Sequence, residues 1–241
     1  MTEITHSAKL AQGDTDRTFG WSGPAGKLRA QRRADLLKQG AALEWGVTAL
    51  EIGCGSGVFT ELFASTGVLL FAIDISDELL AKAKARKLQR RKVIFARSSI
   101  KDMPDYFKFD AILGSSVLHH IKDLPSVLAK LYRMLTPGGR IAFAEPNYLN
   151  PQVFLERKLR HVLPCFYYVS DDETAFIRWT LAKALINVGF EDVEITPFDW
   201  LHPSTPGWLV PEVDAMGKWL EWIPVVREFA GSLFIQGRKP R

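Results

Sequence analysis

Short apolar stretches alternate with amphipathic stretches along most of the chain, and this alternation predicts strands and helices in turn. Seven stretches have the length and composition of buried or half-buried strands. They cover residues 49–52, 68–74, 93–96, 109–114, 140–146, 190–198 and 232–237. Helical patterns cover residues 27–43, 58–65, 77–91, 126–135 and 172–189. Residues 1–16 are polar and are expected to be loose, as chain ends often are.

Strands joined by helices predict an α/β fold with a doubly wound, mostly parallel sheet of seven strands. The right-handed crossover rule makes the first five or six strands parallel. For 241 residues we expect a single domain. Each of two long insertions follows the carboxyl end of a strand, the edge where open α/β sheets bind ligands. The predicted parts are a core at about 45–145 and 172–238, an N-terminal lid at 1–44, and cap insertions at 147–170 and 199–231.

Composition indicates an ordinary soluble globule, with 47% hydrophobic and 24% charged residues. No apolar run reaches the roughly 18–20 residues that a membrane span needs, and the first residues lack an apolar signal segment. Cys54 and Cys165 form no disulfide framework or zinc pattern, so we expect a cytoplasmic protein. The net charge of +4 permits nucleic acid as a partner without indicating it.

A glycine-rich turn follows the first predicted strand. Residues 49–57 read A-L-E-I-G-C-G-S-G, and Val58 opens the next helical pattern. Glycines at alternate positions allow positive φ and bring bare backbone close to a ligand. A turn from strand into helix also leaves amide N–H groups available to a ligand. The dinucleotide fingerprint G-x-G-x-x-G/A is the nearby alternative, but Val58 stands where that pattern requires Gly or Ala.

This turn resembles motif I of the class I S-adenosylmethionine-dependent methyltransferases. The resemblance implies a Rossmann-like methyltransferase fold whose last strand runs antiparallel between strands five and six. It also implies S-adenosyl-L-methionine as the cofactor and S-adenosyl-L-homocysteine as its product. The motif residues expected to bind the cofactor are Glu51, Gly53, Cys54, Gly55 and Gly57.

Asp74 ends the second apolar stretch, 17 residues after Gly57. This is close to the gap of about 20 residues between glycine loop and ribose-binding carboxylate in βαβ nucleotide sites. A carboxylate suits the role because it accepts hydrogen bonds from both ribose hydroxyls. We therefore expect Asp74 and Ile75 at the cofactor. In the resembled family the loop after the third strand lies on the adenine, which assigns Ser99 and Ile100, although an Asp is common where Ser99 stands.

Two further motifs resemble those of the same family. S-S-V-L-H-H-I at residues 115–121 follows the fourth strand, and L-T-P-G-G-R-I at residues 135–141 leads into the fifth. The first motif assigns the strand end at Ser115, and His120, to the cofactor side. Some small-molecule members of the family use a basic residue on an N-terminal helix, which assigns Arg33 or Arg29 to a ligand carboxylate. A solvated basic helix face is the alternative for these arginines.

Methyl transfer from a sulfonium is an in-line displacement, so the protein mainly orients donor and acceptor. An acceptor that loses a proton needs a base, and His119 and Glu145 are the catalytic candidates near the carboxyl edge. No cluster of Asp or Asn ligands for a metal can be assembled, so no metal is predicted. We expect a small organic acceptor, methylated on oxygen ahead of nitrogen or carbon. Quinone-like, secondary-metabolite and lipid-linked glycan acceptors stay open.

Aromatic residues are frequent in the two cap insertions. An aromatic-walled acceptor pocket, an extended core or homodimer contact, and a weak membrane-surface contact through residues 219–234 are alternative interpretations. The aromatic residues concerned are Phe154, Phe166, Tyr167, Tyr168, Trp200, Trp208, Trp219 and Trp222.

Three other functions remain as alternatives. An RNA methyltransferase would use the basic run at residues 82–92, but nucleic acid is disfavoured because no aromatic residues for base stacking are interleaved there. A catalytically silent protein would keep the S-adenosylmethionine pocket as a binding module. A NAD-dependent oxidoreductase would use the same turn for a dinucleotide.

Overall fold

A computed structural model describes residues 13–86, 88, 92–159 and 173–241 of the chain. Seven strands form one sheet in the order β3-β2-β1-β4-β5-β7-β6. Strands β1 to β5 are parallel to one another, and β7 runs antiparallel between β5 and β6. The predicted sheet and its inserted last strand are therefore confirmed. The strands are β1 (Thr48–Ile52), β2 (Leu69–Asp74), β3 (Val93–Arg97), β4 (Phe109–Ser115), β5 (Leu135–Pro146), β6 (Glu191–Phe198) and β7 (Ser232–Arg238).

Helices of the described residues pack on both faces of this sheet. They are α1 (Thr15–Thr18), α2 (Gly23–Gly40), α3 (Val58–Ala64), α4 (Asp77–Ala85), α5 (Leu124–Met134), α6 (Pro151–Leu159), α7 (Arg178–Val188) and α8 (Val210–Leu220). Alternate residues of β1 point to opposite faces, as the pleat requires. Leu50 packs in the core that includes α5 and α7, whereas Ala49 packs in the core that includes α2 and α3. Burial on both faces explains the apolar strands.

Several predicted helix bounds are wrong. Helix α2 begins at Gly23, four residues early, because Pro24 is well suited to a first helical turn. The helix predicted over 77–91 ends at Ala85, since the backbone of Arg86 is extended. The helix predicted from residue 172 begins at Arg178. Its predicted cap, Asp171 or Asp172, lies outside the described residues.

The chain before α2 is more ordered than a loose end. Asp14 caps the short helix α1 by accepting a hydrogen bond from the backbone N–H of Arg17, and Thr15 is buried. The expectation of a loose segment therefore fails at its last residues. Helix α1 lies at the carboxyl edge of the parallel strands, next to the glycine turn. No described helix has the length and apolar character needed to cross a bilayer.

Candidate functional site

A cavity of about 930 Å³ opens at the carboxyl edge of the parallel strands. Its walls come from the glycine turn, the ends of β2 and β4, the loop after β3, and the segments that cover this edge. The volume is near the upper end of the usual range for small-molecule sites, about 300–1,000 Å³. Most of the predicted site residues line it, namely Arg33, Gly53, Cys54, Gly55, Asp74, Ile75, Ser99, Ile100, Ser115, His119 and His120. Of the predicted residues, Glu51, Gly57 and Glu145 do not line it.

The glycine turn has the backbone that its sequence predicts. Gly53, Gly55 and Gly57 all have positive φ, at 66°, 52° and 83°. A Cβ on Gly53 would lie 2.6 Å from Cγ2 of Val117, and one on Gly57 would lie 2.9 Å from Cβ of Ala83. A Cβ on Gly55 would meet no atom within 4 Å. Two of these glycines therefore allow close packing, while Gly55 leaves open space at the cavity.

Glu51 lies beneath the turn rather than at the cavity. Its carboxyl is 2% exposed and accepts a hydrogen bond of 2.7 Å from the hydroxyl of Thr60. Burial raises the pKa of Glu51 to about 8, and the nearby charge of Asp74 acts in the same direction. In this geometry the carboxyl of Glu51 lies below the turn and does not line the cavity.

Asp74 sits between the glycine turn and the start of α4. Its two carboxylate oxygens accept hydrogen bonds from the backbone N–H groups of Ser76 at 2.9 Å and Gly55 at 2.8 Å. Burial raises the pKa of Asp74, and these backbone hydrogen bonds oppose that shift. The carboxylate is thus oriented by backbone, and its oxygens retain lone pairs for further donors. Ile75, Ser99 and Ile100 line the adjoining part of the cavity.

Arg33 is a buried cation at the cavity wall. It donates to the hydroxyls of Ser115 at 3.2 Å and Ser116 at 3.1 Å, and it lies 3.5 Å from the carboxylate of Asp199. Its Nε has no hydrogen-bond partner among the described residues. Burial lowers the pKa of Arg33 to about 10, so it stays charged at neutral pH. The solvated-face interpretation is wrong for this arginine.

Arg29 shares Asp199 with Arg33. The guanidinium of Arg29 donates to both carboxylate oxygens of Asp199, at 2.8 to 3.1 Å. Both guanidinium groups also lie over the ring of Trp21, at 5.3 Å for Arg29 and 5.2 Å for Arg33. Two cations therefore face one carboxylate, which leaves this part of the wall positively charged and suited to an anionic ligand group.

His119 and Glu145 form a buried pair. Nδ1 of His119 lies 2.7 Å from Oε2 of Glu145. The carboxylate of Glu145 also accepts the backbone N–H groups of Val117 at 2.9 Å and Leu118 at 2.8 Å. Although burial opposes ionisation, the hydrogen bond and charge of His119 together with these amides keep the pKa of Glu145 below its usual value. Glu145 lies behind His119 and is fully buried, so it orients the imidazole instead of meeting a ligand.

Burial lowers the pKa of His119 below its usual value, and neighbouring His120 adds to this effect. The two imidazole rings lie 4.0 Å apart between centroids. Burial therefore favours the neutral imidazole of His119, and this residue lines the cavity. A neutral imidazole oriented by a carboxylate is the arrangement expected of a general base.

Three charged contacts were missed by sequence reasoning. They are Arg29 with Asp199, Arg86 with Asp16, and Arg157 with Glu173. Asp16 accepts two hydrogen bonds from Nη2 of Arg86 and one of 2.9 Å from the hydroxyl of Ser56. None of these pairs follows a helical or strand spacing, so no pattern in the sequence predicts them.

The described cap aromatics give little support to the aromatic-walled alternative. Of the cap aromatics considered, Trp200 lines the cavity, whereas Trp208, Trp219 and Trp222 are 76%, 63% and 85% exposed. Phe166, Tyr167 and Tyr168 lie outside the described residues, as does Cys165. The cap insertions do contribute to the cavity, but mainly through polar side chains such as Gln152 and His202. Among the residues that the structure describes, no group of His, Cys, Asp or Glu could hold a metal ion.

Comparison with known proteins identifies relatives of the central part of the chain. Residues 50–143 match a family model described as a methyltransferase domain. A ubiquinone biosynthesis O-methyltransferase of Pseudomonas putida (strain GB-1) is 31% identical over 128 residues, 51% of this chain and 53% of that protein. One from Pseudomonas entomophila (strain L48) is 32% identical over 115 residues, 46% of this chain and 48% of that protein. The chain spans about half the length of the curated relatives it matches.

Solved structures extend the likeness to the whole chain. A chain of the complex between the Haloferax volcanii Trm112 methyltransferase activator and a methyltransferase matches with a TM-score of 0.72 at 20% identity, covering 100% of both chains. The N-methyltransferase NodS from Bradyrhizobium japonicum WM9, solved with S-adenosyl-L-homocysteine, matches with a TM-score of 0.66 at 18% identity, covering 99% of this chain and 98% of that one. At these identities the likeness shows the fold alone.

Proposed function

We propose that this chain is a class I S-adenosylmethionine-dependent methyltransferase and that it transfers the cofactor's methyl group to an oxygen of a small organic acceptor. Its residues 50–143 match a methyltransferase domain. The observation that carries the proposal is the make-up of one cavity. It joins a glycine turn and an oriented Asp74 carboxylate to an imidazole, His119, that a buried carboxylate holds in place.

The residues present fit S-adenosyl-L-methionine. Asp74 retains acceptor capacity for the ribose hydroxyls, and Gly55 leaves open space beside it. Arg33 offers a buried cation with an unpaired Nε to the carboxylate of the methionine part. Ser99 and Ile100 would meet the adenine, and the strand end at Ser115, with His120, would lie towards the amino group. The solved complex of NodS with S-adenosyl-L-homocysteine supports this choice of cofactor.

S-adenosyl-L-methionine supplies a methyl group already activated on a sulfonium, and S-adenosyl-L-homocysteine is left after transfer. The protein's part is to orient the acceptor and to take its proton. Glu145 is ionised and only accepts hydrogen bonds, so Nδ1 of His119 carries the proton of the neutral ring. Nε2 is then the basic atom, and it would take the hydroxyl proton as the new bond from oxygen to methyl forms. Glu145 would stabilise the resulting imidazolium.

The names of the curated relatives favour a quinone-like acceptor. Secondary metabolites and lipid-linked glycans fit the same chemistry. RNA is the weaker candidate, because Arg86 from the basic run is held against Asp16 and Lys82 donates to the carbonyl of Gly13. A cytoplasmic location stays a prediction.

Calorimetry tests the cofactor assignment. The protein should bind S-adenosyl-L-methionine and S-adenosyl-L-homocysteine, and NAD should give no heat. Asp74→Ala should weaken this binding by about 1.5–3 kcal/mol, the scale for hydrogen bonds to a charged group. Asp77→Ala is the matched control, because Asp77 is largely exposed and paired with Arg97 on the surface. Unchanged binding in Asp74→Ala would contradict the ribose role, and no heat with either sulfur nucleoside would overturn the function.

A further inference from the structure

A second buried carboxylate faces His119 from the side opposite Glu145. Oε2 of Glu173 lies 3.8 Å from Nε2 of His119, and Glu173 is 8% exposed. Glu173 comes from the segment that leads into α7, well outside the family motifs. It also lines the cavity.

Glu173 is held in place from two directions. The backbone N–H and the hydroxyl of Thr174 both donate to the carbonyl oxygen of His119, at 3.0 and 3.1 Å. Nη2 of Arg157 on α6 lies 2.9 Å from Oε2 of Glu173, and Nε of Arg157 donates to the carbonyl oxygen of Thr174 at 3.1 Å. Hydrogen bonds therefore connect this part of the cap to the backbone of His119, and together with Arg157 they fix the position of Glu173.

The protonation state of His119 decides whether its ring attracts the carboxylate of Glu173. Because Nδ1–H donates to Glu145, Nε2 of the neutral ring carries a lone pair. Nε2 and Oε2 of Glu173 are then both acceptors, and they cannot bond to each other until a proton arrives. Once Nε2 is protonated, the same two atoms attract, and an adjacent carboxylate favours the charged imidazolium.

We propose that Glu173 is a positioning residue that acts through His119 by stabilising its protonated ring. Arg157 limits this stabilisation. This rests on the proposed function. The acceptor's O–H bond breaks as the bond from oxygen to methyl forms and the bond from sulfur to methyl breaks, and the proton goes to Nε2. The protonated Nε2 then faces the carboxylate of Glu173 at 3.8 Å, so carboxylates flank the imidazolium on both ring nitrogens. Arg157 partly neutralises Glu173 and so limits how strongly it favours the charged ring.

Among the described residues, three titratable groups act on the charge of His119. Glu145 on β5 and Glu173 before α7 favour the imidazolium, while the adjacent His120 disfavours it. Arg157 on α6 is a cation in contact with Glu173. Changing either member of the Arg157–Glu173 pair should therefore move the titration of His119, and the two changes should move it in opposite directions.

The test is an NMR pH titration of the imidazole resonances in the full chain, with His119→Asn used to assign the His119 signal. Glu173→Gln removes a negative charge, so His119 should titrate at lower pH than in the wild type. Arg157→Met removes a positive charge, so His119 should titrate at higher pH. Glu173→Asp keeps the charge and should return the titration towards the wild-type position. Glu191→Gln, at the exposed amino end of β6 and away from the cavity, should leave it unchanged.

If Glu173 had a purely structural role, Glu173→Gln would lower the stability of the fold, and the titration of His119 would not shift in opposite directions in the two variants. No shift in Glu173→Gln, or a shift to higher pH, would overturn the proposal, and so would shifts of the same sign in Glu173→Gln and Arg157→Met. Calorimetry with S-adenosyl-L-homocysteine is run on the same variants. Retained binding with an unmoved His119 refutes the inference alone, whereas absent binding in the wild type refutes the proposed function.

Discussion

The cavity has two walls that are held by different forces. The strand-edge wall consists of the glycine turn and the ends of β2 and β4, and backbone hydrogen bonds fix it. The N–H of Cys54 donates to Ile73 at 3.0 Å, that of Ser98 to Asp74 at 3.0 Å, and that of Ser116 to Ala144 at 2.8 Å. The cap wall consists of residues 17–21, the arginines of α2, the side chains of α6, Glu173 and residues 199–204. Ion pairs between distant segments fix much of it.

The two walls therefore depend on the sequence in different ways. Backbone geometry at a strand edge depends on a few glycines and on sheet register, so local sequence motifs can predict it. Ion pairs between distant segments depend on particular charges at particular positions, so they can differ between proteins of one fold. We therefore expect the strand-edge wall to bind the cofactor and the cap wall to hold the determinants of the acceptor.

The largest effect is expected from the cap wall. Asp199→Asn removes the carboxylate that Arg29 and Arg33 share, and Arg33 is 3% exposed. An uncompensated buried charge typically costs about 3–5 kcal/mol, and we expect the free energy of unfolding to fall by that amount. Urea denaturation measures it.

Asp214→Asn is the matched control, because Asp214 pairs with Lys218 one helical turn away and that lysine is half-exposed. Such a pair contributes about 0.3–0.5 kcal/mol. If Asp199→Asn cost no more than this control, ion pairs would not be what holds the cap wall.

The same contrast explains what could be predicted from the sequence. The strand pattern predicts the seven-stranded sheet, and the glycine turn with Asp74 follows from local spacing. Asp199 lies 170 residues from its partner Arg29, so no periodicity connects them. The exposure of several cap aromatics could not be predicted for a related reason. Hydrophobicity alone does not reveal that Trp208 and Trp222 point to solvent while charged side chains of α6 face the cavity.

The strand-edge wall should respond to backbone changes instead. Gly53→Ala places a Cβ 2.6 Å from Val117 at a φ of 66°. Left-handed backbone costs a non-glycine residue about 1–2 kcal/mol, and overpacking adds about 1–3 kcal/mol. We expect a total loss of about 2–5 kcal/mol in urea denaturation, together with weaker binding of S-adenosyl-L-homocysteine.

Gly55→Ala measures the cost of left-handed backbone without overpacking. Its φ of 52° is also positive, but the added Cβ would meet nothing within 4 Å. It should cost only about 1–2 kcal/mol of unfolding free energy. Equal losses for Gly53→Ala and Gly55→Ala would show that the contact with Val117 does not matter, and that conformational strain alone limits the turn.

The smallest effect is expected where the two walls meet. Asp16 on α1 joins Arg86 and the hydroxyl of Ser56 in the glycine turn, and both charged side chains remain partly exposed. Because solvent screens such a pair, Asp16→Asn should cost about 0.5–1 kcal/mol. If α1 closes the cavity over the cofactor, part of this loss should appear as weaker binding of S-adenosyl-L-homocysteine, measured by calorimetry.

Salt and charge reversal sharpen this test. The difference between wild type and Asp16→Asn should shrink as ionic strength rises, since screening removes the charged contribution. Exchanging the charges in the double variant Asp16→Arg with Arg86→Asp should restore part of the binding that either single reversal loses. A difference that is the same at low and high salt would assign the effect to the hydrogen bond with Ser56. In that case the junction, like the strand-edge wall, would be held by hydrogen bonds rather than by charge.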